Sequence, residues 1–234
     1  YLAKWVRENP RHYTYRFVFI PETIGSVMYV SKNLQQLKRQ VVAAFNLTCC
    51  GDPGEFSFLP SRNGDTLADE VAKHVLSYAA PQAKHYSFLD RGSDERQYCS
   101  PGVDLPMVSI MRSKYGTYKE YHTSLDNLSF ITDQALNETL QMHIKCFEAL
   151  EANDVFRAVY PCEPQLGKRG LYPQLGTRET KEIVKDMMNF LAYADGHLSL
   201  LKIAEKTNQP IWSLVKIATK LAEAGLVEKV GEKE

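Results

Sequence analysis

The 234-residue chain has no net charge, since 28 Lys and Arg offset 28 Asp and Glu. A chain without a net field has nothing to draw it onto nucleic acid or an anionic membrane. It lacks any apolar run near the length that spans a bilayer, and any signal-like start, so a cytoplasmic location is expected and no membrane contact. Paired cysteine spacing is missing as well. The five cysteines, Cys49, Cys50, Cys99, Cys146 and Cys162, are odd in number and form no CxxC, which argues against a disulfide framework and against a structural zinc cluster. Adjacent Cys49 and Cys50 read as small apolar residues at a strand end. No internal repeat or low-complexity tract is present.

What is there suffices for a sizeable core. An apolar fraction of 44% with 24% charged residues is ordinary for a globular protein, and the length fits one large domain or a medium domain with a small one. YLAKWVREN opens the chain as a helix with Leu2, Trp5 and Val6 on one side, ended by Asn9-Pro10. Tyr13 to Ile20 reads as a buried strand, rich in aromatic and β-branched residues and stopped by Pro21. A helix follows from about Gly25 to Gln40, then a second strand in VVAAFNLTC. A loop with a short strand-like FSFL leads to a helix capped by Asp65 or Thr66 with Leu67, Val71 and Val75 on one face. His85 to Leu89 is the next strand, and Met107 to Met111 another. Ile131 to Asn153 is a long amphipathic helix with Leu136, Leu140, Ile144, Phe147 and Leu150 toward the core. Strands alternating with helices predict an α/β domain, a mainly parallel sheet flanked by helices, over residues 1–162.

Residues 163–177 carry Gly and Pro without apolar period and read as a connector. Residues 178–234 then predict helices at Thr180–Tyr193, Ser199–Thr207 and Ile211–Ala224, a Gly225 cap and a short strand in LVEKV. That order resembles a winged helix-turn-helix module. Such a module would place Gln209, Trp212, Ser213, Lys216 and Lys220 on or beside a recognition-type helix. From Thr177 to Glu234, however, nine basic residues meet nine acidic ones. Duplex affinity rests on phosphate neutralisation, so nucleic acid is a poor partner and a protein contact or homo-oligomer the better expectation.

Charged and hydrogen-bonding residues concentrate between Phe88 and Asp126, around the Met107–Met111 run. That is how a scaffold presents a polar site. GSDERQYCSPGVDLPMVSI followed by EYHTSLDNL resembles a bacterial aminopeptidase-like family of poorly defined function, related to the zinc aminopeptidases and glutaminyl cyclases. The resemblance implies an aminopeptidase-type α/β fold lacking its first strands. It also implies that the first helix follows a segment with a metal-binding His and a bridging Asp, so the chain is expected to be the C-terminal part of a longer protein. The remaining metal ligands would lie upstream of Tyr1.

On the residues themselves, Glu22 in FVFIPETIGS stands at a strand end, where α/β ligands bind. The resemblance makes it the general base, with Thr23 where a metal-binding acid is usual; a shifted register makes Glu22 the ligand and leaves no base. Thr48 likewise stands where relatives carry an acid for a second metal, so one zinc ion is expected rather than two. His122 would be a metal ligand, with Asp126 or Asp94 holding its second ring nitrogen, and Asp94 would support proton transfer. As plain residues, Glu22 is a helix-capping acid, Asp94 an N-cap and His122 a loop histidine. Arg91 and Arg96, with Tyr98 and Tyr121, are candidate substrate contacts through the guanidinium fork, or partners of Asp90, Asp94 and Glu95. The implied function is zinc-dependent hydrolysis of an amide bond in a peptide-like substrate. Two rivals are an inactive accessory protein, which Thr23 and Thr48 favour and which the resemblance would associate with polysaccharide biosynthesis, and a winged-helix regulator.

Overall fold

The computed structural model describes residues 1–171 and 178–231, in two compact units, Tyr1–Phe147 and Glu148–Glu234. The expected connector lies partly outside the described residues, as does Lys233.

The first unit begins with α1 (Leu2–Glu8) and α2 (Ile24–Gln40). The β1 strand (Ala44–Asn46) pairs in parallel with β4 (Met107–Met111), which pairs antiparallel with β2 (Ser57–Leu59), itself parallel to β3 (Lys84–His85). The sheet order β1-β4-β2-β3 is therefore mixed and mostly parallel, flanked by helices, as expected for this α/β domain. The α3 helix (Leu67–Ala79) buries Val71, Val75 and Leu76 beside the buried Val108, Ile110 and Met111 of β4. It starts as its sequence asks: Thr66 and Asp69 form a reciprocal capping box. Asp69 is fully buried and also accepts from the Ser61 amide at 2.9 Å, which satisfies a carboxylate that would otherwise be costly inside.

Two expectations fail here. Tyr13–Ile20 is no strand; among the described residues Arg16 to Ile20 find no main-chain hydrogen-bond partner, and Phe19 is 89% exposed. An apolar, β-branched run has strand propensity, but only a partner edge makes it a strand. The His85–Leu89 strand likewise stops after His85 and turns at Phe88–Asp90, where Ser87 and Asp90 cap each other. The α4 turn (Glu95–Tyr98) precedes β4, and α5 (Asp133–Glu151) follows it. Leu136, expected in the core, is 45% exposed.

The second unit is a winged helix-turn-helix. Its helices are α6 (Arg178–Tyr193), α7 (Leu200–Thr207) and α8 (Ile211–Glu223). They bury Met187, Phe190, Leu201, Ile203, Leu214 and Leu221. Ser199 caps α7, and Gly225 takes φ +64°, the left-handed backbone that ends a helix cheaply only with glycine. The strands β5 (Val155–Ala158), β6 (Asp195–Ser199) and β7 (Val227–Lys229) form an antiparallel sheet in the order β6-β5-β7. Residues up to 162 are expected in the first domain, but β5 pairs with both other strands of this sheet. Among the described residues, no helix is long and apolar enough to cross a membrane.

His143 on α5 is fully buried, with Nδ1 at 2.8 Å from the Thr139 carbonyl oxygen and Nε2 unpartnered. Burial pushes its imidazole below the ordinary value of 6.5. Its contribution to stability is thus complete above about pH 6.5 and is lost as pH falls, because the unfolded chain then binds a proton that the folded chain does not. Replacing His143 by Phe is expected to remove up to about 1.4 kcal/mol per pH unit from the acid-side slope of stability. Urea unfolding between about pH 5 and 7.5 reads this; an unchanged slope contradicts it.

Candidate functional site

The site is built on one buried carboxylate. Glu95, fully buried at the start of α4, accepts from the amides of Gly92 at 2.9 Å and Ser93 at 3.1 Å, from Tyr115 Oη at 2.6 Å, and from Asn46 Nδ2 at 3.0 Å, with Ser109 Oγ at 3.3 Å. These partners come from β1, β4 and two loops. Gly92 admits no side chain, because an added Cβ would meet the Tyr115 ring at 2.7 Å. Burial, followed by the Glu95 carboxylate, drives the Tyr115 phenol far above its usual pKa, so it stays a donor.

The turn held by Glu95 carries two residues that reach back to the end of the first segment. Ser93 Oγ donates to Glu22 Oε1 at 2.6 Å, and Asp94 Oδ1 accepts the Thr23 amide at 2.7 Å. Asp94 occupies the N-cap position of α4 but makes no side-chain cap bond there. Thr23 has φ 61° and ψ −69°, and the Ile24 amide reaches the Glu22 carbonyl at 2.7 Å, a γ-turn with positive φ. For a β-branched residue this backbone is a true outlier, costing about 1–3 kcal/mol, and such strain persists only where neighbours enforce it. Asp94 is one such neighbour.

Glu22, Tyr121, His122 and Asp126 line a single cleft of about 300 Å³ with Thr48, Cys49, Tyr115 and Tyr118. His122 also has positive φ, 57°, and stacks on Tyr121 with ring centroids 3.9 Å apart. The expected second-sphere contact is not formed: no hydrogen bond joins His122 to Asp126 or Asp94. Nor do the described residues suffice for a metal. One imidazole and several carboxylates border the cleft, but no three His, Cys, Asp or Glu side chains stand close enough together to hold an ion. The described residues by themselves do not fit the zinc that the resemblance implies.

Three other expected contacts fall elsewhere. Tyr98 is 6% exposed and packs with Val30, Leu37 and Leu105, so it is a core residue. Arg91 and Arg96 border a different cleft and form no ion pair with Asp90, Asp94 or Glu95. Arg91 instead lies over the Phe88 ring at 5.0 Å. Sequence reasoning misses Tyr118 altogether and takes Glu95 only as an ion-pair partner of the arginines, not as the buried centre of the site. The buried position of Glu95 leaves a faint sequence signal, an acid directly after Ser-Asp at a helical start.

The cleft thiols are poor nucleophiles. Burial pushes Cys49 up despite its contact with Tyr118, and raises Cys50 to about 11. The thiolate is the reactive form, so both are held inert at neutral pH. Iodoacetamide at neutral pH is expected to label the exposed Cys162 and to spare Cys50 until the pH approaches 11. Mass spectrometry of the labelled peptides checks this, and early labelling of Cys50 contradicts it.

Residues 1–153 match the family described as Domain of unknown function (DUF4910), and residues 154–229 match a winged helix-turn-helix family. A protein of Clostridium acetobutylicum, named a candidate polysaccharide biosynthesis protein with an aminopeptidase-like domain, is 35% identical over 232 residues, covering 98% of this chain and 53% of its own length. The crystal structure of a candidate peptidase from Clostridium acetobutylicum superposes with a TM-score of 0.88 at 34% identity, over 98% of this chain and 51% of that one. The chain thus spans about half the length of these relatives. With its aminopeptidase-like fold and its trailing module, the chain belongs to the DUF4910 family and carries a winged helix-turn-helix after it.

Proposed function

We propose that the cleft is one part of an amide-hydrolysing, aminopeptidase-type active site in which Glu22 is the proton acceptor. The observation that carries this is the double clamp on the Pro21–Ile24 turn, Ser93 on the Glu22 carboxylate and Asp94 on the Thr23 amide. A surface acid that merely capped a helix would need neither clamp nor strained backbone. Ser93 occupies Oε1, and Oε2 has no partner among the described residues. Glu22 would take a proton from the attacking water and return it to the departing amine, while Ser93 fixes the carboxylate's orientation. Tyr118 and Tyr121 would wall the cleft and limit water.

Zinc belongs to this proposal as a single ion for which His122 is one donor, the others coming from beyond the residues of this chain. Bound there, it would polarise the scissile carbonyl and acidify water. The substrate would be peptide-like, and the winged helix-turn-helix would contact protein, either a partner or a second copy, since its charges balance.

A second reading has its own support. Thr23 and Thr48 stand where metal-binding acids are expected, and the relative's name couples an aminopeptidase-like domain to polysaccharide biosynthesis. An inactive accessory protein fits both facts.

One experiment separates the readings. In protein of the relatives' full length, Glu22→Gln is expected to lower turnover of aminoacyl anilides by about 10²–10⁴-fold without shifting thermal unfolding. Stoichiometric zinc should disappear on His122→Ala. Zinc-free protein without turnover supports the accessory role, and turnover untouched by Glu22→Gln removes Glu22 from the chemistry.

A further inference from the structure

Away from the Glu22 cleft, the first unit has a larger one of about 590 Å³, within the range that accepts small ligands. Its charge is one-sided. Arg62, Arg91 and Arg96 line it and no Asp or Glu does, in a chain whose net charge is zero.

The three guanidiniums are in different states. Arg62 is spoken for, with Nε and Nη2 donating to the two Asp104 carboxylate oxygens at 2.9 and 2.7 Å. Arg91 has one long contact, Nη1 to the Phe88 carbonyl oxygen at 3.4 Å, and sits over the Phe88 ring. Arg96 makes no side-chain hydrogen bond or ion pair among the described residues. The nearby acid that might have neutralised Arg91 is engaged elsewhere, since Asp90 Oδ2 accepts the Ser87 amide at 3.0 Å. Two forks with several unused donors therefore face a cleft without a carboxylate.

A planar fork matches the oxygens of a phosphoryl group in pairs. Asn63 adds a neutral amide to the lining, and Phe88 with Leu89, the latter 81% exposed, adds apolar surface beside the charge. We propose that this cleft is a binding site for a phosphoryl anion carried on an organic group. Arg91 and Arg96 bind the phosphoryl oxygens, Arg62 holds the rim through Asp104, and Phe88 and Leu89 contact the organic part. The assignment does not depend on the hydrolase reading, because none of these side chains lines the Glu22 cleft.

Calorimetric titration of this chain with pyrophosphate tests it. Saturable one-to-one binding is expected, weakening as salt is raised. Arg91→Ala and Arg96→Ala should each reduce affinity by about tenfold or more, as for loss of charge-assisted hydrogen bonds, and the double variant should abolish binding. Glu22→Gln should leave it unchanged. Thermal unfolding of the exposed-arginine variants should match the parent, which separates lost binding from lost fold. Absence of saturable binding, retention in the double variant, or equal affinity for succinate would overturn the phosphoryl assignment.

Discussion

The Glu95 carboxylate is the interaction on which the site depends. A charge with no solvent contact is tolerated only when hydrogen bonds replace its water. Glu95 meets that demand by collecting donors from Gly92, Ser93, Asn46, Ser109 and Tyr115. Because those donors belong to β1, β4 and the loops on either side, satisfying one group fixes the relative positions of four segments. The turn that precedes α4 then has no freedom of its own. Ser93 and Asp94 project from it onto Glu22 and Thr23, so a residue that contacts no cleft surface decides where the candidate base stands.

This explains which parts of the site were legible in the sequence. Ser-Asp followed by a helical turn, and an acid after Pro21 at the end of an apolar run, are local patterns, and the structure brings both to one place. Strand β4 was equally plain, because five consecutive apolar or small residues bounded by Pro106 and Arg112 suit a central strand. Glu95 was not legible as a hub, since an acid beside two arginines reads as an ion-pair partner. Its true partners are far away in sequence or are backbone amides. Tyr98 failed for a related reason: a tyrosine near charged residues looks like a contact residue, yet helical spacing turned it toward Val30 and Leu37. Arg91 and Arg96 flank the same turn as Asp94 but point to the other cleft, a division that no linear pattern reveals.

The fold was readable where periodicity was long and ambiguous where pairing decided. Helices α2, α3, α5 and α8 begin and end within a few residues of their expected bounds. Tyr13–Ile20 has strand composition, but its backbone meets no neighbouring strand among the described residues. In the second unit the opposite error occurred: Val155–Ala158 was absorbed into the domain before it, because its antiparallel partners β6 and β7 lie about 40 and 70 residues further on. Short strands are set by their partners, and a partner cannot be read from four residues.

The most direct test of this account is amide hydrogen exchange at Thr23, whose N–H is held by Asp94, compared between the parent chain and Glu95→Gln. The account predicts that Thr23 loses its protection in the variant while the Val71–Val75 amides of α3 keep theirs. Unchanged protection at Thr23 would contradict it, since the Asp94 clamp would then stand without the buried carboxylate beneath it.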